Sequence, residues 1–347
     1  VGEQMRIIPE LGVYWRDRDT IQVGLDPRVG AIIEGLTHQE QEFVSLLTQE
    51  RTVTELHPVA EAYGMSSSRL AEILGMLARA GLLEGTDAPA PTRHNATNDR
   101  TVWRVHIDNL DALGTAIALK LAENGISHLS FADGAAVSRL DHPLMWPRWD
   151  GLSRTRAMTT LLRQYSPHVD VTGDGTPDVA VVTGSRLILA SATERWMEED
   201  IPHLLAWTED IDTCVGPLVE PHRSVCASCL HESRLEQDDA WGFLAAQARA
   251  GSPPHLSSDT RDLSASIAAR TILSLLDGHG NPLHDSQWRV PPLPTFPFLA
   301  SHPPHPRCGC TSYAAMVNAL TSALPAAAGQ RSQLRAVEGP ELSVDDI

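Results

Sequence analysis

The sequence holds a single lysine, Lys120, so nearly all of its 27 basic residues are arginines. Arginine does not replace a lysine amine where geometry is tight, which narrows the phosphate or carbonyl chemistry open to the chain. Positive charge is itself short. The 44 acidic residues leave a formal charge of −17, which repels a phosphate backbone and argues against non-specific nucleic-acid binding. No apolar run approaches the roughly 20 residues that cross a bilayer. A basic n-region followed by the apolar h-region of a secretion signal is also missing. The chain therefore reads as soluble, globular and cytoplasmic, with no membrane and no nucleic acid among its partners. Cysteine is scarce and clustered: Cys214, Cys226, Cys229, Cys308 and Cys310. That spacing suits a metal site in a reducing compartment better than a disulfide framework.

With 347 residues, 42% of them hydrophobic, core size is not limiting and two domains are expected. The first, over 1–85, begins with short β-type runs at 6–8 and 13–16. The apolar runs 20–25 and 31–35 flank Asp26, Pro27, Arg28, Val29 and Gly30, a turn-rich connection expected of a hairpin. Thr37 with Glu40, and Thr52 with Glu55, have capping-box spacing and predict two helices. A third, opened by the serines at 66–68, carries Leu70, Ile73, Leu74 and Leu77 on one face and is closed by Gly81. Strands followed by three helices describe a winged-helix-like module. Its seven arginines and thirteen acidic residues are a poor electrostatic footprint for DNA, which leaves a protein or peptide as its partner.

A linker over 86–100, in a stretch rich in Pro, Thr, Ala and Asn, separates this module from a second domain over 101–326. There, strand patterns at 101–107, 128–132, 169–172 and 179–183 alternate with helical patterns at 113–124 and 157–165. The order predicts an α/β domain with a mostly parallel, Rossmann-type sheet. The residues 327–347 read as a flexible tail. Cys226 and Cys229 form a CxxC pair, and Cys308 and Cys310 a tighter one. Four thiolates complete a tetrahedral Zn²⁺ and leave no position for water, so such a site is structural. An iron–sulfur cluster also suits four cysteines, and His302 or His305 could stand in for one if the narrow pair does not ligate together. Cys214 lies in an apolar run beside Val215 and reads as core.

The N-terminal pattern resembles the peptide-recognition domain of ribosomal-peptide (RiPP) natural product biosynthesis. The resemblance implies that a leader peptide adds a strand beside the run 31–35 and lies against the third helix. It places Ile32, Ile33, Leu70, Ile73 and Leu77 at the contact, with ordinary core packing as the competing account of each. The second domain resembles the ThiF family, the adenylating fold shared with ubiquitin-activating enzymes. The likeness rests on the turn Asn124-Gly125-Ile126, the strand ending at Asp133, the helix before Ser166-Pro167-His168-Val169, and Val215-Gly216-Pro217-Leu218-Val219 ahead of the cysteine pair.

Active members of that family hold nucleotide phosphates on a glycine-rich loop at a helix start. Here the loop reads Asp108, Asn109, Leu110, Asp111, Ala112, Leu113, Gly114. Only Gly114 remains of the glycines, and two carboxylates stand where phosphates would sit. Asp133 matches the ribose-contacting acid, but 134–140 lacks the second aspartate, the asparagine and the glutamine of the family pattern. The family's lysine falls at Arg156, ahead of Ala157, and Lys120 lies inside the first crossover helix. Gly114, Asp133 and Arg156 are thus a vestigial nucleotide site, and ATP is not an expected cofactor.

The stretch from His302 to Cys310 resembles the peptide-cyclodehydratase branch. Together the two regions resemble the leader-binding partners of azoline-forming enzymes. That implies a non-catalytic protein with structural zinc, a homodimer by analogy, that delivers a precursor leader peptide to a separate YcaO-type cyclodehydratase for thiazole or oxazole formation. The alternative is an active ThiF-like adenylating enzyme acting on a peptide or carrier-protein C-terminus.

Overall fold

In the computed structural model, which describes residues 4–84, 99–171, 173 and 175–310, the chain divides into two units, Val1–Asn98 and Asp99–Ile347. The linker expected over 86–100 lies outside the described residues except for Asp99 and Arg100, and the tail over 327–347 lies wholly outside them. Arg100 forms an ion pair with Asp277 within the second unit.

The first unit runs β1 (Gln4–Met5), β2 (Val13–Trp15), β3 (Ile21–Val23), β4 (Ala31–Ile33), α1 (His38–Leu46), β5 (Arg51–Thr52), α2 (Val53–Ala62) and α3 (Ser67–Arg79). Local chemistry starts each helix. Thr37 and Thr52 form complete capping boxes with Glu40 and Glu55, and the Ser66 hydroxyl accepts from the Arg69 N–H. β2, β3 and β4 make an antiparallel three-stranded sheet with Ile21 opposite Ile33, while β1 pairs with β5. The inner face of that sheet and the apolar stripe of α3 close on one core that includes Ile7, Ile21, Val23, Phe43, Leu47 and Leu56.

The second unit contains β6 (Arg104–Ile107), α4 (Ala112–Glu123), β7 (His128–Phe131), α5 (Arg154–Tyr165), β8 (Val179–Ser185), α6 (Glu194–Glu198), β9 (His203–Thr208), β10 (Thr213–Val219), α7 (Ala227–Gln237), α8 (Trp241–Ala250), α9 (Ser258–Leu276), β11 (Ser286–Val290) and β12 (Phe298–Ser301). Its seven strands lie in the order β12-β11-β10-β9-β8-β6-β7. The α/β class is as expected. The parallel pairing occupies one half, β7-β6-β8-β9, and β9 to β12 continue as an antiparallel meander. The run 169–172 contributes a single bridge, Asp170 to His128, rather than a strand among the described residues.

Strand periodicity sorts the core into two layers. Val179, Val181, Leu204 and Ala206 face the layer that holds α4, α5 and α9. Ala180, Val182, Leu205 and Trp207 face the opposite layer, with Trp196, Cys214 and the first cysteine pair. No helix among the described residues is long and apolar enough to cross a membrane.

Candidate functional site

The four cysteines of the two pairs converge, although 82 residues separate Cys226 from Cys308 and 81 separate Cys229 from Cys310. Their Sγ atoms lie 3.9 Å apart for Cys226 and Cys229, 3.5 Å for Cys226 and Cys308, and 3.3 Å for Cys229 and Cys310, and all four fall within 4.8 Å of one another. A tetrahedron with metal–sulfur bonds of about 2.3 Å has edges of about 3.8 Å, so the donor set fits one metal ion. Cys226 caps α7 and Cys229 sits in its first turn, where the helix dipole favours thiolates. Gly309 takes the left-handed backbone, φ 71°, between Cys308 and Cys310, which lets both thiols of the narrow pair reach the cluster. Neither histidine is needed as a substitute. The His305 ring reaches Glu236 at 3.2 Å while its backbone N–H donates to Cys229 Sγ, and the described cluster contains neither His305 nor His302. Cys214 is fully buried, and burial pushes its thiol up to about 12, so it is core rather than a nucleophile.

At the carboxyl end of β6 the turn into α4, where the resemblance leads one to expect a phosphate loop, is held by the protein's own side chains. Asp111 caps α4, its Oδ1 accepting from the Gly114 N–H at 2.8 Å, so an N-terminal donor that would hold a phosphate is already taken. A Cβ at Gly114 would meet the Asn109 carbonyl oxygen at 2.0 Å, so glycine is required for the loop to fold onto the helix. Asp108 accepts from Trp196 Nε1 at 2.9 Å. Asp133 is buried, with Oδ2 accepting from the Leu110 N–H and Oδ1 from the Ala135 N–H, both at 2.8 Å.

The arginine that meets Asp133 is Arg154, not Arg156. Arg154 Nη1 lies 3.1 Å from Asp133 Oδ2 and 3.2 Å from Asn109 Oδ1, and its Nη2 lies 2.7 Å from Asp141. Arg156, expected to form a vestigial nucleotide site with Gly114 and Asp133, is exposed. Helical phase explains the difference, since the first residue of α5 faces the sheet end and the third faces outward.

Asp111 carries a pH prediction. Burial pushes its carboxyl up to about 6 from an ordinary 3.8, against the pull of the Gly114 N–H. A folded pKa above the unfolded one means that the stabilising contribution is full below the unfolded value and is lost as pH rises through about 6. Asp111→Asn keeps a cap acceptor for Gly114 and removes the charge. Its stability should exceed that of the wild type by roughly 1–3 kcal/mol at pH 7.5 and match it near pH 4. Thermal unfolding at the two pH values checks this, and an equal or lower stability at pH 7.5 contradicts it.

In the first unit, β4 is an outer strand of its sheet among the described residues. Ile32 is 52% exposed, in a cross-strand row with Gln22 and the exposed Tyr14. Ile33, Leu70, Ile73 and Leu77 instead fill the module's own core, the three α3 residues at 1% exposure or less. Their burial matches the packing account of each: helical periodicity identifies an apolar face, and here that face is covered by the module itself. Sequence reasoning missed Arg69. Its Nη2 donates to the Gly35 carbonyl at 3.0 Å and its Nε to Glu40 at 2.7 Å, tying the end of β4 to α3. The Arg69 guanidinium holds the Glu40 carboxyl below its ordinary range.

No protein-family model and no curated protein sequence matches the chain. Solved structures do. Escherichia coli MccB with ATP aligns at a TM-score of 0.65 and 12% identity, covering 89% of this chain and 100% of that one. The microcin C7 biosynthetic enzyme MccB in complex with N-formylated MccA aligns at 0.63, again with 12% identity, 89% and 100% coverage. A heterocyclase in complex with substrate and cofactor aligns at 0.61 and 12% identity, covering 89% of this chain and 39% of that one. At this identity the likeness establishes the fold. Its extent exceeds what either unit supplies, so it reaches into both.

Proposed function

We propose that this is a cytoplasmic, ThiF-like leader-peptide-binding partner in ribosomal-peptide biosynthesis, which delivers a precursor peptide to a separate YcaO-type azoline-forming cyclodehydratase. The observation that carries the reading is the phosphate loop filled by its own side chains, with Asp111 on the α4 amide and Arg154 on Asp133. A chain built this way has exchanged nucleotide contacts for internal ones. Its contribution is then to raise the effective concentration of substrate at another enzyme. The module over 1–85 supplies the docking edge: a leader strand pairs with the outer edge of β4, and Ile32 offers the exposed apolar contact. The winged-helix-like order of strands and three helices supports that reading.

Zn²⁺ is the metal we assign to Cys226, Cys229, Cys308 and Cys310. With four thiolates it has no open coordination position and serves to stabilise the fold. The domain over 101–326 is the surface we assign to a homodimer, by analogy with the usual symmetry of such assemblies.

The second reading, an adenylating enzyme acting on a peptide or carrier-protein C-terminus, draws support from the likeness to MccB with ATP. Calorimetric titration separates the two. The leader segment of a precursor encoded beside this gene should bind in the micromolar range, while ATP·Mg²⁺ gives no heat. Tight ATP binding without leader binding overturns the proposal.

A further inference from the structure

The run 290–301 holds no charged residue, in a chain with 44 acidic and 27 basic ones. It forms one end of the seven-stranded sheet, where β12 pairs with β11 on one side and with no strand on the other among the described residues. Four large apolar side chains of the run stand in solvent: Leu293 at 77% exposure, Phe296 at 85%, Phe298 at 48% and Leu299 at 53%. Edge strands ordinarily carry a lysine, another charge or a proline that keeps a neighbour from pairing. β12, with the sequence Phe-Leu-Ala-Ser, carries none of these. Pro291, Pro292, Pro294 and Pro297 all precede the strand, so its backbone donors are intact.

The register shows what kind of cover this edge takes. Phe298 stands opposite Arg289 and Leu299 opposite Trp288, so the two exposed side chains lie on opposite faces of the sheet. A partner that caps one face leaves the other wet, whereas a further strand beside β12 brings neighbours to both. Charge then selects the partner. A chain of formal charge −17 meets a dissimilar protein best where its acidic residues face a basic surface. A second copy repels the first over most of its surface and is met best where charge is absent, as it is over 290–301. The four side chains expose on the order of 500 Å² per copy, so covering them in two copies removes about 1,000 Å², the size at which specific interfaces begin. Antiparallel pairing about a two-fold axis uses up the edge on both chains and closes at two.

We propose that β12 is a self-association edge: two copies of this chain pair β12 to β12, antiparallel, into one continuous sheet, with Phe298 and Leu299 packed across the two-fold axis. The proposal rests on the homodimer assigned above to the second domain and gives it a surface. Leader binding, assigned to β4, is a separate matter and can fail while this edge stands.

The test is analytical sedimentation of the full chain over a concentration series, with amide hydrogen exchange followed over 298–301. The wild type should be a dimer whose β12 amides lose protection on dilution. Leu299→Lys sets like charges beside the axis and should weaken the dimer about tenfold or more. Phe298→Lys should do the same from the other face. Both positions are exposed, so the variants should fold, and their leader affinity should match the wild type. A wild type that is monomeric at every concentration overturns the proposal, and protected β12 amides in that monomer would assign the edge to the chain's own segment 311–347. A dimer of undiminished strength in both variants also overturns it and leaves the homodimer to another surface. A wild type that dimerises through β12 yet binds no leader supports the edge and counts against the proposed function.

Discussion

Replacing Cys229 with serine should strip the chain of its metal and lower its melting temperature by about 10 °C or more. Cys229 is 1% exposed and its sulfur lies within ligating reach of three others. A serine hydroxyl does not ionise to replace a thiolate there, and the remaining three thiols would lose the ion proposed to join α7 to the loop after β12. A metal that closes segments some 80 residues apart acts chiefly by restricting the unfolded chain and by contributing its binding free energy to folding. Metal analysis of the purified variant alongside calorimetric melting checks the prediction, and a strong chelator should reproduce the shift in the wild type. Full metal content with an unchanged melting temperature in the variant contradicts it. Identification of the metal as iron would keep the structural role and replace zinc.

Ile32→Asp should weaken leader binding by about 10- to 100-fold without changing stability, whereas Ile73→Ala should destabilise the first unit by about 2–5 kcal/mol. The two isoleucines come from the same candidate set and differ in what covers them. Ile32 stands on the outer strand at 52% exposure, where a carboxylate is readily solvated but opposes an apolar leader side chain. Ile73 is fully buried against the module core, and its truncation leaves a cavity. Titration and thermal unfolding of both variants separate contact from packing. Wild-type leader affinity in Ile32→Asp contradicts docking on β4.

These contrasts show which parts of the structure the residues announce. Helix starts at Thr37, Thr52 and Ser66 are legible because a cap is a contact between neighbours three residues apart, complete within the local chain. The cysteine cluster is legible because thiols in CxxC and CxC pairs have few other uses in a reducing compartment. What covers an apolar face is set by distant residues, so Leu70, Ile73 and Leu77 can be placed on one side of α3 without knowing that Ile21 and Phe43 already occupy it. The choice between Arg154 and Arg156 turns on where α5 begins, a boundary that shifts the outward direction by about 100° per residue. Arg69 matters through its partners on elements far off in the sequence, Gly35 and Glu40. The antiparallel half of the sheet is similarly hidden, since strands of the meander carry the same buried apolar runs as parallel ones.

The most direct test of the account is ATP–pyrophosphate exchange by the purified, metal-loaded chain in the presence of its precursor peptide. A chain whose α4 amide is capped by Asp111 and whose Asp133 is held by Arg154 should give no exchange above background while it binds the leader. Precursor-dependent exchange that is abolished by Arg154→Ala would contradict the partner role and make the protein an adenylating enzyme.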